Sequence, residues 1–257
     1  HKVFVTGAGG FIGSNLTRSF LKRGYEVHVL KRPQSVQWRL ADIKSKLKYH
    51  NIEIGDRSGI LRLIKKIQPE QVFHLAQYGG NPNENNAAMI RKVVIEGSSA
   101  VFEACAQIDS IKAIVNTGSS SEYGHKLTPM REDMMLEPNT AYGCAKAWAT
   151  LYGQYLSRYK NVPITTLRLF SPFGQWDNAW RFIPTTIIAC LRNQKLKISN
   201  PLAVRDFIFV QDVVRAFLSA SEKKCAGEVI NIGFGRQMTL KNIVDIVSNH
   251  IGTKPEI

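Results

Sequence analysis

Tyr142 and Lys146 have the types and spacing of a proton-transfer pair. Four positions apart, they share a face if their segment is helical. An ammonium beside a phenol favours the phenolate, so the tyrosine can give or take a proton nearer neutral pH. The same lysine can hold a nicotinamide ribose. Such a pair serves hydride transfer at a carbinol or ketone, where the tyrosine moves the proton and the nicotinamide moves the hydride. The spacing alone also fits an amphipathic helix with a surface lysine. Upstream, Thr117-Gly118-Ser119-Ser120-Ser121 ends an apolar run. A hydroxyl there can bond the reacting oxygen, and the residues themselves do not choose among the three serines.

A second constellation lies at the start of the chain, Thr6-Gly7-Ala8-Gly9-Gly10-Phe11-Ile12-Gly13. It follows an apolar run and opens a helical pattern, the context in which such glycines cradle a dinucleotide. Gly7 allows a tight turn, Gly10 lets backbone approach a pyrophosphate, and Gly13 lets helix and sheet pack closely. The amides of the first helical turn, at Phe11 and Ile12, and the positive end of the helix dipole would face the phosphates. The next strand ends Leu30-Lys31-Arg32, where a carboxylate would hold the ribose hydroxyls of NAD. No acid follows nearby, and two cations suit the extra phosphate of NADP. NADP is therefore expected, with NAD as the alternative and a solvated basic turn as the plain reading. Asp56 and Arg57 are placed on the adenine side of the cofactor, although Asp56 with Ser58 also reads as a helix cap.

The elements that must position these groups alternate. Strands are expected at 2–6, 26–30, 52–54, 71–75, 112–117 and 164–170, with helices at 11–23, 59–67, 87–106 and 142–159. Several strands are apolar throughout, as in a sheet covered on both faces. The fold class is α/β, a doubly wound parallel sheet of Rossmann type with a smaller C-terminal substrate-binding lobe. Residues 1–170 read as the dinucleotide-binding domain. Residues 171–257 read mainly as the second lobe, interleaved with the sheet, with a loop at 171–181, helices at 183–192, 213–221 and 241–250, and strand and turn at 197–208.

Composition sets the remaining bounds. With 257 residues the chain can bury a large core, and no apolar run reaches membrane-spanning length. No signal peptide is visible, and the four separated cysteines form no CxxC pair, so no metal site is expected and the protein reads as cytoplasmic. The net charge of +14 is spread without a nucleic-acid motif, so an ordinary basic soluble enzyme is the favoured reading, and a phosphate-rich substrate would suit its field. The start at His1 and the abrupt end after Lys254 point to missing termini.

The segments 6–13 (TGAGGFIG), 74–76 (HLA), 118–124 (GSSSEYG), 142–146 (YGCAK), 168–174 (RLFSPFG) and 205–213 (RDFIFVQDV) occur in one order over nearly the whole chain. In this the sequence resembles the extended short-chain dehydrogenases/reductases, in their NAD-dependent epimerase/dehydratase group acting on nucleotide sugars. The resemblance implies a triad of Ser119, Tyr142 as acid/base and Lys146. It implies that Leu75, Ala76, Gln77 and Thr117 line the cofactor, that Phe170 flanks the nicotinamide, and that Ser120 and Ser121 face substrate. It also implies that Ser171, Arg205 and, more weakly, Arg181 lie near the nucleotide diphosphate, and that the protein is a homodimer through its two long helices.

Three departures from the family pattern stand out. Ser121 occupies the place of the glutamate that dehydratases use, Ser171 replaces an asparagine, and Val94 replaces another. The leading expectation is an NADPH-dependent 4-ketoreductase of a nucleotide sugar. The alternatives are a 4-epimerase with tightly held NAD and a non-catalytic dinucleotide-binding regulator.

Overall fold

The structure is a computed structural model that describes residues 1–81 and 83–256. Its strands are β1 (Lys2–Thr6), β2 (Glu26–Lys31), β3 (Lys48–Asn51), β4 (Gln71–His74), β5 (Ala113–Ser119), β6 (Ile164–Leu169), β7 (Ser171–Phe173), β8 (Val204–Phe209), β9 (Val229–Ile232) and β10 (Gln237–Thr239). Its helices are α1 (Phe11–Lys22), α2 (Arg57–Ile67), α3 (Ala87–Ile90), α4 (Gly97–Cys105), α5 (Ala141–Lys160), α6 (Phe182–Arg192), α7 (Val210–Glu222) and α8 (Leu240–Ile251). A π-helical stretch, Arg91–Glu96, joins α3 to α4.

Seven strands form one sheet in the order β3-β2-β1-β4-β5-β6-β9, every pair parallel. Alternation along β1 and β4 divides the core. Val3, Val5 and Phe73 face one way, where they meet Leu16 and Phe20 of α1 and Val213 and Phe217 of α7. Phe4 and Val72 face the other way, toward Ile60 and Ile64 of α2 and Val101 and Phe102 of α4. This two-faced burial is the doubly wound α/β arrangement expected from the apolar strands. A smaller sheet, β10-β8-β7, stands apart from the seven-stranded one.

The third strand differs from expectation. It is the polar Lys48–Asn51, whose backbone pairs with β2 from His28↔Lys48 to Lys31↔Asn51. The isoleucines of 52–54 are instead core plugs. Ile54 is buried against α4, where a Cβ on Gly97 would stand 2.8 Å from its Cγ1. An edge strand needs backbone pairing more than apolar side chains, so hydrophobicity pointed to the wrong residues. The seventh strand, β9, also escaped notice, being only half-buried along its length. Of the expected loop at 171–181, Ser171–Phe173 is a strand paired with β8. Among the described residues no helix is long and apolar enough to cross a membrane.

Candidate active site

Strand register gathers the predicted residues on one edge. Thr6 lies opposite His74, His74 opposite Asn116, and Ser119 opposite Leu169. The glycine loop, Leu75 to Gln77, the serine run and Phe170 therefore all leave the sheet at its carboxyl end, on either side of the reversal between β1 and β4. The crevice there is fastened by Thr6, whose Oγ1 accepts from the amides of Leu75 and Ala76, each at 3.2 Å. His74, which sequence reasoning gave no role, is buried between Thr6 Oγ1 (2.9 Å) and Ser98 Oγ (3.0 Å). Burial holds its pKa down to about 3, so the imidazole is neutral.

Gly7 has φ +70°, and a Cβ there would lie 2.5 Å from the Leu75 carbonyl carbon. At Gly13 a Cβ would meet Gly7 O at 2.2 Å, so α1 approaches the loop as closely as backbone allows. Helix α1 starts at Gly10 with no side-chain cap. Its first-turn amides, at Phe11, Ile12 and Gly13, are thus left to an outside acceptor, the arrangement that fits a dinucleotide diphosphate. Lys31 closes β2 and Arg32 follows it, exposed, with Ser35 donating to the Arg32 carbonyl at 3.0 Å. Asp56 is the N-cap of α2, its Oδ1 accepting from Gly59 N (2.9 Å) and Ser58 Oγ (3.0 Å). Arg57 turns to Glu103 on α4 at 3.1 Å. Both residues thus have partners within the helix layer, Asp56 at the N-terminus of α2.

Ser119 ends β5, and Thr140 caps α5 so that Tyr142 and Lys146 lie in its first two turns. The Tyr142 hydroxyl donates to Gln77 Oε1 at 2.8 Å. The Lys146 ammonium donates to the Thr117 carbonyl at 2.8 Å and stands 5.8 Å from the centre of the Tyr142 ring. One expectation needs correction: the lysine was to favour the phenolate. Crowding by protein instead raises the Tyr142 pKa well above that of a free phenol, with Ser119 and Arg181 only partly opposing it. Desolvation of a charged phenolate outweighs a cation whose proton is already directed at a carbonyl.

Burial also depresses Lys146, to about 8 against an ordinary 10.5, with Glu122 pulling the other way. Between these values the unfolded chain binds more protons than the folded one, so stability increases as pH rises through the window. Urea titrations are expected to give a difference in midpoint between the native protein and Lys146→Met that grows in the native protein's favour from about pH 8 to about pH 10. Parallel curves for the two proteins would contradict this assignment.

Glu122 follows directly after Ser121, the residue in the place of the dehydratase glutamate. The structure makes it a hub. Its side chain is fully buried and accepts from Ser119 N at 2.8 Å and from Arg168 Nε at 2.7 Å. Arg168 Nη1 donates to the Tyr123 hydroxyl at 2.7 Å, which donates to Asn231 Oδ1 at 2.8 Å. Asn231 Nδ2 donates to the Met130 carbonyl. This chain ties β5, β6 and β9 beneath the serines. Glu122 and Ser119 form a reciprocal capping box on the single turn Ser120–Glu122, in which Ser119 Oγ accepts from Ser121 N at 3.1 Å. The hydroxyl proton of Ser119 stays available. The signal was present in sequence as Ser-x-x-Glu, a pattern that precedes helices everywhere.

Beside this group opens a cleft of about 670 Å³. Its lining includes Ser120, Ser121, Phe170, Ser171, Arg205 and Asn231. Arg205 is exposed on β8, its Nη1 bonded to its neighbour's carbonyl at Val204. Arg181 is not part of that lining. It stands before α6, 3.6 Å from Asp177 Oδ1 and close enough to act on Tyr142.

The fold and sequence are shared with known proteins. The structure aligns at a TM-score of 0.90 with that of UDP-glucose 4-epimerase with UDP-glucose from Thermotoga maritima, at 26% identity over 100% of this chain and 86% of that one. UDP-glucuronic acid 4-epimerase from Bacillus cereus, in complex with UDP-glucuronic acid and NAD, aligns at 0.85 with 25% identity over 100% and 85%. The dTDP-4-dehydro-6-deoxyglucose reductase of Escherichia coli is 24% identical over 99% of this chain and 83% of its own length. The model of the NAD-dependent epimerase/dehydratase family matches residues 3–233. That match runs through the parallel sheet from β1 to β9 and through every segment that builds the site, and the chain accordingly belongs to this family.

Proposed function

We propose that the protein is an NADPH-dependent 4-ketoreductase acting on a nucleotide-diphospho-sugar. The observation that carries this reading is the cationic end of β2, where Lys31 and Arg32 replace the carboxylate that would hold the ribose of NAD. A reductase consumes its cofactor at each turnover. When bound, the nicotinamide supplies hydride to carbon 4 of the sugar. Tyr142 then protonates the developing alkoxide, Ser119 donates a hydrogen bond to the same oxygen, and Lys146 holds the nicotinamide ribose. Tyr142 arrives protonated, as a proton donor must. Ser120, Ser121 and Phe170 border the sugar in the cleft, and Ser171, Arg205 and, as a weaker contributor, Arg181 take the diphosphate. Dehydration is disfavoured because Ser121 has no carboxyl and Glu122 is committed to Arg168.

A second reading, a 4-epimerase that retains NAD, is favoured by the likeness to UDP-glucose 4-epimerase. We also read the protein as a homodimer. Leu151, Tyr155 and Tyr159 are exposed on α5, the two tyrosines continuing an aromatic row from Trp148 and Tyr152.

The test is NADPH oxidation with 4-keto-6-deoxy sugars carried on UDP, dTDP, CDP and GDP. Consumption of NADPH in preference to NADH is the expected result, whereas sugar interconversion with no net absorbance change would move the assignment to the epimerase. Each charge-assisted contact to the 2′-phosphate contributes about 1.5–3 kcal/mol. Lys31→Ala combined with Arg32→Ala should therefore weaken NADPH binding roughly 10²-fold or more and leave NADH binding unaltered.

A further inference from the structure

Arg39 lies in the 3₁₀ stretch Trp38–Lys46 that follows β2, and it is buried. Its hydrogen bonds go to uncharged oxygens of two loops. Nε donates to the Trp176 carbonyl at 2.7 Å and Nη2 to Asn178 Oδ1 at 2.6 Å, while Nη1 reaches the Gly9 carbonyl at 3.4 Å. Withdrawing a guanidinium from water is costly, and neutral acceptors return only part of that cost. What the arrangement gains is position. The guanidinium joins the dinucleotide loop to the segment after β7.

That segment is held under tension. Trp176 has φ +69°, a left-handed conformation unusual for a bulky residue. Its carbonyl is fixed by Arg39, and its ring lies under the Arg18 guanidinium at 4.3 Å. Asn15, in the first turn of α1, donates to the Gln175 carbonyl at 2.8 Å. The next residue, Asp177, has a side chain only 2% exposed, one carboxylate oxygen without a hydrogen-bond partner, and Arg181 at 3.6 Å from the other. Arg181 in turn acts on Tyr142. A continuous set of contacts therefore leads from Gly9, through Arg39 and residues 176–178, to the charge beside the candidate acid/base.

We propose that Arg39 is a positioning residue that couples the two halves of the site: a diphosphate ordering Gly9 and Gly10 also fixes the loop at 175–178 and, through Asp177, the Arg181 guanidinium. Nucleotide binding on the substrate side is then tighter when the dinucleotide is bound, and by linkage the reverse holds. This inference rests on the cofactor and nucleotide-sugar assignments above.

The probes are UDP, dTDP, CDP and GDP, titrated calorimetrically into the full chain with and without saturating NADP⁺; the tightest of the four is carried forward. The wild type is expected to bind it at least about five-fold more tightly with NADP⁺ present. Arg39→Met should bring that ratio close to one. Asn178→Ala, which leaves the guanidinium in place and removes one acceptor, should give an intermediate ratio, and it decides the matter if Arg39→Met does not fold. A role in stability alone would lower melting temperatures and leave the ratio untouched. Coupling unchanged in the variants, or a wild-type ratio of one despite binding of both ligands, overturns the inference. If the wild type binds neither NADP⁺ nor any of the four diphosphates, the functional reading itself has failed.

Discussion

Replacing Tyr142 with Phe is expected to lower turnover by about 10²–10⁴-fold, the usual contribution of a positioned general acid. The substitution removes one oxygen from a half-buried side chain. That oxygen's partner in the structure is the amide of Gln77, which is exposed and can bond water instead. Stability should therefore change little, and cofactor affinity far less than kcat. Steady-state kinetics with NADPH and the best 4-keto substrate give the first quantity, and fluorescence titration of NADPH gives the second. A variant with wild-type kcat would remove Tyr142 from the chemistry under both the reductase and the epimerase reading. It would mean that another group delivers the proton.

Loss of Glu122 should be costly for a different reason. The carboxylate is fully buried, and its partner Arg168 is nearly so. Glu122→Ala strands a guanidinium in the core, which costs about 3–5 kcal/mol because the remaining charge can neither pair nor reach water. It also frees Ser119 N and dissolves the capping box on Ser120–Glu122. Glu122→Gln keeps the shape and an acceptor for Ser119 N, so it should lose less. Removing both charges, Glu122→Leu with Arg168→Met, should recover much of the loss, since a buried pair adds little over well-packed apolar groups. Urea unfolding of the four proteins checks this order. A Glu122→Ala variant as stable as the wild type would mean that Arg168 finds another partner.

These two residues mark what sequence reading reached and where it stopped. Tyr142 was legible because helical periodicity puts residues four apart on one face, and because its strand-and-helix context is local. The glycine loop was legible for the same reason. Gly13 is demanded by backbone a few residues away and Gly7 by its own positive φ, although Leu75, distant in sequence, also closes on Gly7. The parallel sheet followed from the rhythm of apolar strands and amphipathic helices. The family pattern placed Ser119 within a run of three serines that spacing alone left equivalent.

What the sequence could not disclose depended on partners distant along the chain. Glu122 looks like a surface acid until Arg168 is brought to it from β6, and Arg39 looks like one more cation of a basic loop until Gly9 and Trp176 close on it. The pKa of Tyr142 was misjudged because a neighbouring ammonium is a local fact, whereas desolvation is a property of everything folded around the group. The edge strand at Lys48–Asn51 and the late strand β9 were missed because backbone pairing, which leaves no mark in side-chain pattern, placed them. Local periodicity and backbone permissiveness are written in consecutive residues. Burial, charge pairing and strand neighbours are decided only when the chain closes on itself.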